Sequence, residues 1–241
     1  MKVLTLDLEL TPCTAHVWQL WGNQNVALSQ LVESQELLCA AWKWRDDSRI
    51  QFQRGKRFGG EAQAWLHEAV NMADAVVTWN GDKFDIPHLN REFLEHGYSR
   101  PKPFVSIDLL KTSRKAFRFP SNKLDYVANR ILGVGKMAHQ GHQLWVDCMA
   151  GDEAAWKVME EYNRKDVYIT EQLYDRLLPW ITKYPNLRLY DQHEGCPRCG
   201  SNNLHKRGFK ATAVSKFQQY QCQDCKSWSY DTKRIDASTM C

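Results

Sequence analysis

Two pairs of cysteines near the C-terminus restrict what this chain can fold into more than any other feature. Cys196-Pro-Arg-Cys199 and Cys222-Gln-Asp-Cys225 are Cys-x-x-Cys pairs with 22 residues between them. Four thiolates in this arrangement complete a closed tetrahedral site for a structural zinc ion, with no open position for catalysis. A module of about 45 residues cannot readily build a core alone, so the metal would supply much of its folding energy. Cys13, Cys39, Cys148 and Cys241 stand alone. That pattern fits a reduced, intracellular chain better than a disulfide framework.

The chemistry of the sequence changes near residues 185–195, PNLRLYDQHEG, and a division into residues 1–188 and 189–241 is expected. Residues 191–241 hold eight Lys and Arg against five Asp and Glu, so most of the net charge of +4 falls in the small module. That excess only weakly suggests a polyanionic partner. No apolar run approaches the roughly 18–20 residues that span a membrane. The N-terminus lacks the apolar stretch and cleavage site of a secretory signal. A cytoplasmic protein with no membrane partner is expected.

Strand-like and helix-like patterns alternate through the first 190 residues. VLTLDLEL (3–10), HVWQLW (16–21), LLCAAWKW (37–44) and DAVVTWN (74–80) read as strands. Helical spacing covers 60–73, 86–97, 124–132 and 152–182. Strands first, then strand–helix alternation, predict a three-layer α/β fold with a mixed sheet. The ten tryptophans sit mostly at core-like spacing and read as packing residues.

Carboxylates recur at three places. Asp7 and Glu9 are two apart on a strand and share a face, while Leu4, Leu6, Leu8 and Leu10 occupy the other. Adjacent carboxylates repel unless a cation lies between them, although a solvated strand edge accounts for this pair equally well. In TWNGDKFDIPHL (78–89), Asn80-Gly81 marks a turn after a strand, with Asp85 at the start of the next helix. Either Asp82 or Asp85 serves as a plain helix cap, or both roles hold, with Asp82 capping and Asp85 pointing at a metal. Tyr162 and Asp166 are four apart on a helix and share a face.

Together the three segments resemble the DEDDy group of 3′–5′ exonucleases, which have the ribonuclease H-like fold. The matching residues are Asp7-Leu8-Glu9, Asn80-Gly81-Asp82-Lys83-Phe84-Asp85 and Tyr162 through Asp166. The middle segment is especially similar to the proofreading domains of family B DNA polymerases, and SNKLDYVA (121–128) resembles their connecting region. Glu161 stands where the histidine variant of the superfamily has its His, and Leu10 stands where Thr is common. The resemblance covers about residues 1–182. It implies a stand-alone, metal-dependent exonuclease that hydrolyses single-stranded DNA from the 3′ end. Two Mg²⁺ or Mn²⁺ ions about 3.5–4 Å apart would activate water and stabilise the leaving alkoxide. Asp7 would bridge the two ions, Glu9 and Asp166 would hold the one that activates water, and Asp85 would support the other. Tyr162 would orient the attacking water. Leu10, Asn80 and Phe84 are placed beside the terminal nucleotide, with a core position for Phe84 the equal alternative. Any proofreading for a DNA polymerase, or service to another replication or repair protein, would be in trans.

The C-terminal segment resembles the zinc ribbons of transposases and other nucleic-acid proteins: CPRCGSNNLHKRGFK, then FQQYQCQDC. Lys206, Arg207, Lys210 and Lys216 alternate with Phe209, Phe217 and Tyr220, which suits phosphate contacts plus base stacking. Protein docking is the rival use of the ribbon. His139 and His142 read as solvated, and His67 and His88 as ordinary helix residues. An exoribonuclease, and an inactive nucleic-acid-binding adaptor, are the rival readings of the whole chain. The adaptor reading predicts a missing acidic ligand, and all four carboxylates and the tyrosine are present.

Overall fold

In the computed structural model the first predicted strand, β1 (Val3–Leu10), runs through the middle of a sheet because both its faces are covered. The structure describes all residues except 20, 22–24, 136, 138, 139, 192 and 239–241. Next come β2 (Thr14–Ala15), β3 (Leu31–Glu33), β4 (Leu37–Trp44), β5 (Gln51–Arg54), α1 (Ala62–Met72) and β6 (Ala75–Thr78). They are followed by α2 (Asp85–Glu95), β7 (Val105–Asp108), α3 (Leu109–Ala116), α4 (Leu124–Leu132), α5 (His142–Met149) and α6 (Glu153–Leu177). The short α7 (Arg188–Asp191) leads to β8 (Leu204–Ala211), β9 (Ser215–Cys222) and β10 (Trp228–Ala237).

The main sheet has the order β5-β4-β1-β6-β7. β1 is antiparallel to β4 and parallel to β6, and β6 is parallel to β7, so the sheet is mixed as expected. Leu4, Leu6, Leu8 and Leu10 pack with Leu66, Val70 and Phe93 of α1 and α2 on one side. Val3, Val77 and Ile107 face Ile169, Leu173 and Leu177 of α6 on the other, with Val127 of α4. The period-two pattern of β1 thus supplies one apolar face and leaves Thr5, Asp7 and Glu9 beneath α6.

Segment 16–21 is not a strand among the described residues. The β2–β3 ladder is limited to Thr14 and Ala15, and one further bond joins His16 N–H to the Gln30 carbonyl. With no partner strand beyond that point, Trp18 and Trp21 stand 98% and 85% exposed. The tryptophans are therefore not uniformly packing residues: Trp42 and Trp156 are buried, while Trp65, Trp180 and Trp228 are about half exposed. The short strands β5 and β7 and the helices α3 and α5 were not foreseen, because four-residue strands carry too little pattern.

Buried Glu92 ties three elements together. Its carboxylate accepts from Leu37 N–H of β4 at 3.0 Å, Gln63 Nε2 of α1 at 3.0 Å and the neighbouring Arg91 at 3.0 Å. Removing it would strand two buried donors. Glu92→Ala should therefore lower unfolding stability by about 2–4 kcal/mol, read as a shifted urea midpoint. A shift equivalent to less than about 0.5 kcal/mol, the size of an ordinary surface substitution, would contradict this role.

Candidate active site

The acidic site forms where the parallel strands end. The β1–β6 ladder is limited to the stretch up to Thr5 and Val77. Past it, β1 carries Asp7 and Glu9 toward the carboxyl ends of β1, β6 and β7, the usual ligand position of such sheets. α6 packs against β1 and brings Asp166, with Tyr162 one turn before it, to this end. Carboxylate oxygens of Asp7, Glu9 and Asp166 lie within 4.8 Å of one another. The facing strand leaves room for them, since Asp7 pairs with Ala41 and Glu9 with Cys39 in the register. Burial, with the charge of Glu9 next, pushes the Cys39 thiol well up, so it stays a neutral packing group.

Two carboxylates at this separation repel by about 3 kcal/mol at an effective dielectric of 20. An all-oxygen donor set of three carboxylates suits a hard divalent cation. Asp85 is placed differently from these three. It opens α2 and is 2% exposed, and its carboxylate accepts from Leu8 N–H at 3.2 Å, between Asp7 and Glu9. Burial pushes its pKa up to about 7, with Asp108 adding in the same direction and backbone hydrogen bonds opposing. Asp82 does not cap α2 as expected. Its carboxylate is taken by Lys111 and Ser106, and the N-cap position belongs to Phe84.

The turn into α2 is sterically specified. Asn80 has φ 73°, and a Cβ on Gly81 would fall 2.1 Å from Thr78 Oγ1, so only glycine fits there. Leu10, expected beside the nucleotide, is buried in the core beside α1 and α2. Phe84 is half-buried against the same core with its ring edge-on to His88. His67 stacks on Tyr98 and His142 is exposed, as ordinary residues would. His139 and Cys241 lie outside the described residues.

Two buried polar residues at the site escaped the sequence reading. Asn163 is fully buried, and its Nδ2 donates to Asp7 Oδ2 at 2.7 Å and to the Asp7 carbonyl at 3.4 Å. Its position next to Tyr162 and three before Asp166 was the available signal. Asp108 caps α3, accepting from Leu110 N–H at 2.9 Å, and also holds Asn80 N–H at 3.0 Å. It thereby fixes the turn that launches α2.

The four C-terminal cysteines converge as predicted. Sγ–Sγ distances are 3.7 Å for Cys196–Cys225 and for Cys199–Cys222. A tetrahedron with Zn–S bonds of about 2.3 Å has edges of about 3.8 Å, whereas a disulfide would need about 2.05 Å. The donor set and spacing therefore fit one zinc ion.

Asn163→Ala should leave the fold intact but let the Asp7 carboxylate rotate. Divalent-ion affinity, followed by Mn²⁺ titration with calorimetry, should fall about 10–100-fold. Unchanged affinity would show that Asn163 does not orient Asp7. The purified chain should carry about one zinc per molecule by metal analysis, and Cys196→Ser should lower it.

No helix among the described residues is long and apolar enough to cross a membrane. No curated protein sequence matches the chain. The family B DNA polymerase from the hyperthermophilic archaeon Pyrobaculum calidifontis shares the fold, with a TM-score of 0.55 and 18% identity. The match covers 74% of this chain and 24% of the polymerase, so the chain spans about a quarter of that protein's length. The RNase_H superfamily profile RNase_H_2 matches residues 32–178, more than half of the chain. The match takes in Asp85, Tyr162 and Asp166, while Asp7 and Glu9 precede it. On that match, and with the mixed five-stranded sheet between helical layers, the chain belongs to the RNase_H superfamily.

Proposed function

We propose that the chain is a DEDDy-type, metal-dependent 3′–5′ exonuclease acting on single-stranded DNA. The observation that carries this reading is the convergence of Asp7, Glu9 and Asp166 within 4.8 Å, with Tyr162 one turn before Asp166 on the same helix. Asp7, Glu9 and Asp166 would hold divalent ions, Mg²⁺ or Mn²⁺, with Asp85 supporting them from the start of α2. Such ions supply a water of lowered pKa and stabilise charge on the leaving oxygen. The protein's own residues do the positioning. Asn163 holds the Asp7 carboxylate. Tyr162, 7% exposed and packed edge-on against Trp145 with ring centroids 6.0 Å apart, holds its phenol in place to orient the attacking water. Direction and strand preference rest on the resemblance of the NGDKFD and YNRKD segments to the proofreading domains.

The test is a gel with 5′-labelled DNA and RNA single strands of equal sequence. DNA should give a descending ladder with Mg²⁺ or Mn²⁺ and none in EDTA. Asp7→Ala should abolish it while circular dichroism stays unchanged. Immediate release of labelled mononucleotide would mean 5′ attack, and full activity of Asp7→Ala would remove the metal assignment. Faster digestion of RNA would make the substrate RNA.

Tyr162→Phe keeps the ring and removes only the hydroxyl. Turnover should fall about 10–1000-fold, the range for losing one positioned group, with strand affinity nearly unchanged. Unaltered turnover would leave Tyr162 a packing residue.

A further inference from the structure

The zinc module presents a three-stranded antiparallel sheet in the order β10-β9-β8. Residues directly opposite in such a sheet share a face, so the register sorts its side chains. Lys210 pairs with Phe217 and Phe217 with Arg234, while His205 and Trp228 both pair with Gln221. Tyr230 pairs with Gln219, two residues from Phe217, and contacts the Phe217 ring at 5.9 Å between centroids. Lys210 Nζ lies 3.5 Å from the Tyr230 ring centroid. One face therefore carries Trp228, Tyr230, Phe217, Lys210, Arg234 and His205.

The opposite face is electrostatically different. Lys216 pairs with Asp236, and the Tyr220 hydroxyl donates to Asp231 at 2.9 Å. Both acids of β10 thus sit with the second face, together with Lys206 and Phe209. The first face has cations and rings and no acid among its register pairs. Trp228 and Tyr230 are each 49% exposed.

We infer that this first face is a binding surface for single-stranded DNA, resting on the exonuclease reading above. A single strand alternates apolar base faces with negative phosphates, and a row that runs from exposed Trp228 through Tyr230 to Lys210 and Arg234 opposite Phe217 matches both. Trp228 is the stacking position. Tyr230, with Lys210 held over its ring, offers a cation beside an aromatic surface for the next nucleotide. Arg234 extends the positive edge along β10. Of the four basic residues singled out in the sequence, Lys210 lies on this face and Lys206 and Lys216 on the other, while Arg207 falls in the irregular stretch between Lys206 and Phe209.

The test uses the full-length chain with Asp7→Ala to stop digestion, and fluorescence anisotropy of a labelled oligothymidylate. Adding Trp228→Ala should weaken binding about 5- to 100-fold, the range for losing one stacked base. Trp228→Phe should restore most of it. Lys210→Gln with Arg234→Gln should flatten the dependence of log affinity on log salt by about 1.4 in slope. Phe209→Ala and Lys216→Gln, on the opposite face, should change affinity by less than about twofold, with zinc content constant throughout. Unchanged binding in Trp228→Ala together with an unchanged salt slope in the Lys210→Gln, Arg234→Gln variant, or equal losses from the opposite face, would overturn the inference and leave the sheet to a protein partner. The exonuclease reading fails separately, if the unsubstituted chain degrades no short single strand with Mg²⁺ or Mn²⁺.

Discussion

Mutual repulsion of carboxylates is the constraint around which the main domain is arranged. Asp7, Glu9 and Asp166 come from a central strand and a long helix far apart in sequence, and no isolated segment would hold them within 4.8 Å. The surrounding packing supplies the compensation. Leucines on the far face of β1 anchor the strand in the core shared with α1 and α2. Ile169, Leu173 and Leu177 anchor α6 one to three turns beyond Asp166. Burial of those two apolar surfaces keeps three like charges together until a cation offsets them.

Secondary contacts give the arrangement its precision. Asn163 on α6 reaches both the side chain and the backbone of Asp7, so helix and strand are registered at Asp7. Two turns further along, Glu171 of α6 pairs with Lys43 of β4 at 2.5 Å, with both side chains nearly buried. A pair so placed contributes little net stability, but breaking one side would leave an uncompensated buried charge. It therefore disfavours sliding of α6 over the sheet. On the other side of β1, Asp108 fixes the Asn80 turn and Asp85 returns to the Leu8 backbone. Each of the three acidic segments is thus tied to β1 or to the strand end beside it.

The zinc module is joined to the same core and does not hang from a free tether. Arg198, inside the first cysteine pair, donates to the Ile181 carbonyl at 2.6 Å and lies over the Tyr184 ring. The Tyr184 hydroxyl meets that of Tyr174 on α6 at 2.5 Å. Burial pushes both phenols up, so both stay neutral donors and acceptors. The amino terminus pairs with Asp191 of α7 at 2.7 Å. The knuckle that carries the first cysteine pair therefore also seals the end of the α6 core.

The sequence by itself determined the strand VLTLDLEL, helical segments over 60–73, 86–97, 124–132 and 152–182, each within five residues of the ends found, and the cysteine site. Periodic burial and paired thiolates are local signals, readable without knowing what they pack against. It also pointed to Asp7, Glu9 and Asp166, through the resemblance of their three segments to the DEDDy exonucleases, while spacing placed Asp7 with Glu9 on one strand face and Tyr162 with Asp166 on one helix face. Only the tertiary structure decided which partners those faces met. Leu10 belongs to the core because β1 turns that side to α1 and α2. Trp18 and Trp21 are exposed because, among the described residues, no strand extends beside 16–21. Asn163 became a site residue because α6 crosses at Asp7, a contact between positions 156 apart in the chain. The ribbon's aromatic and basic residues were visible as a composition, but their division into a charged, acid-free face and a neutralised one depends on cross-strand register. Pairing between distant segments sets that register, and no local pattern encodes it.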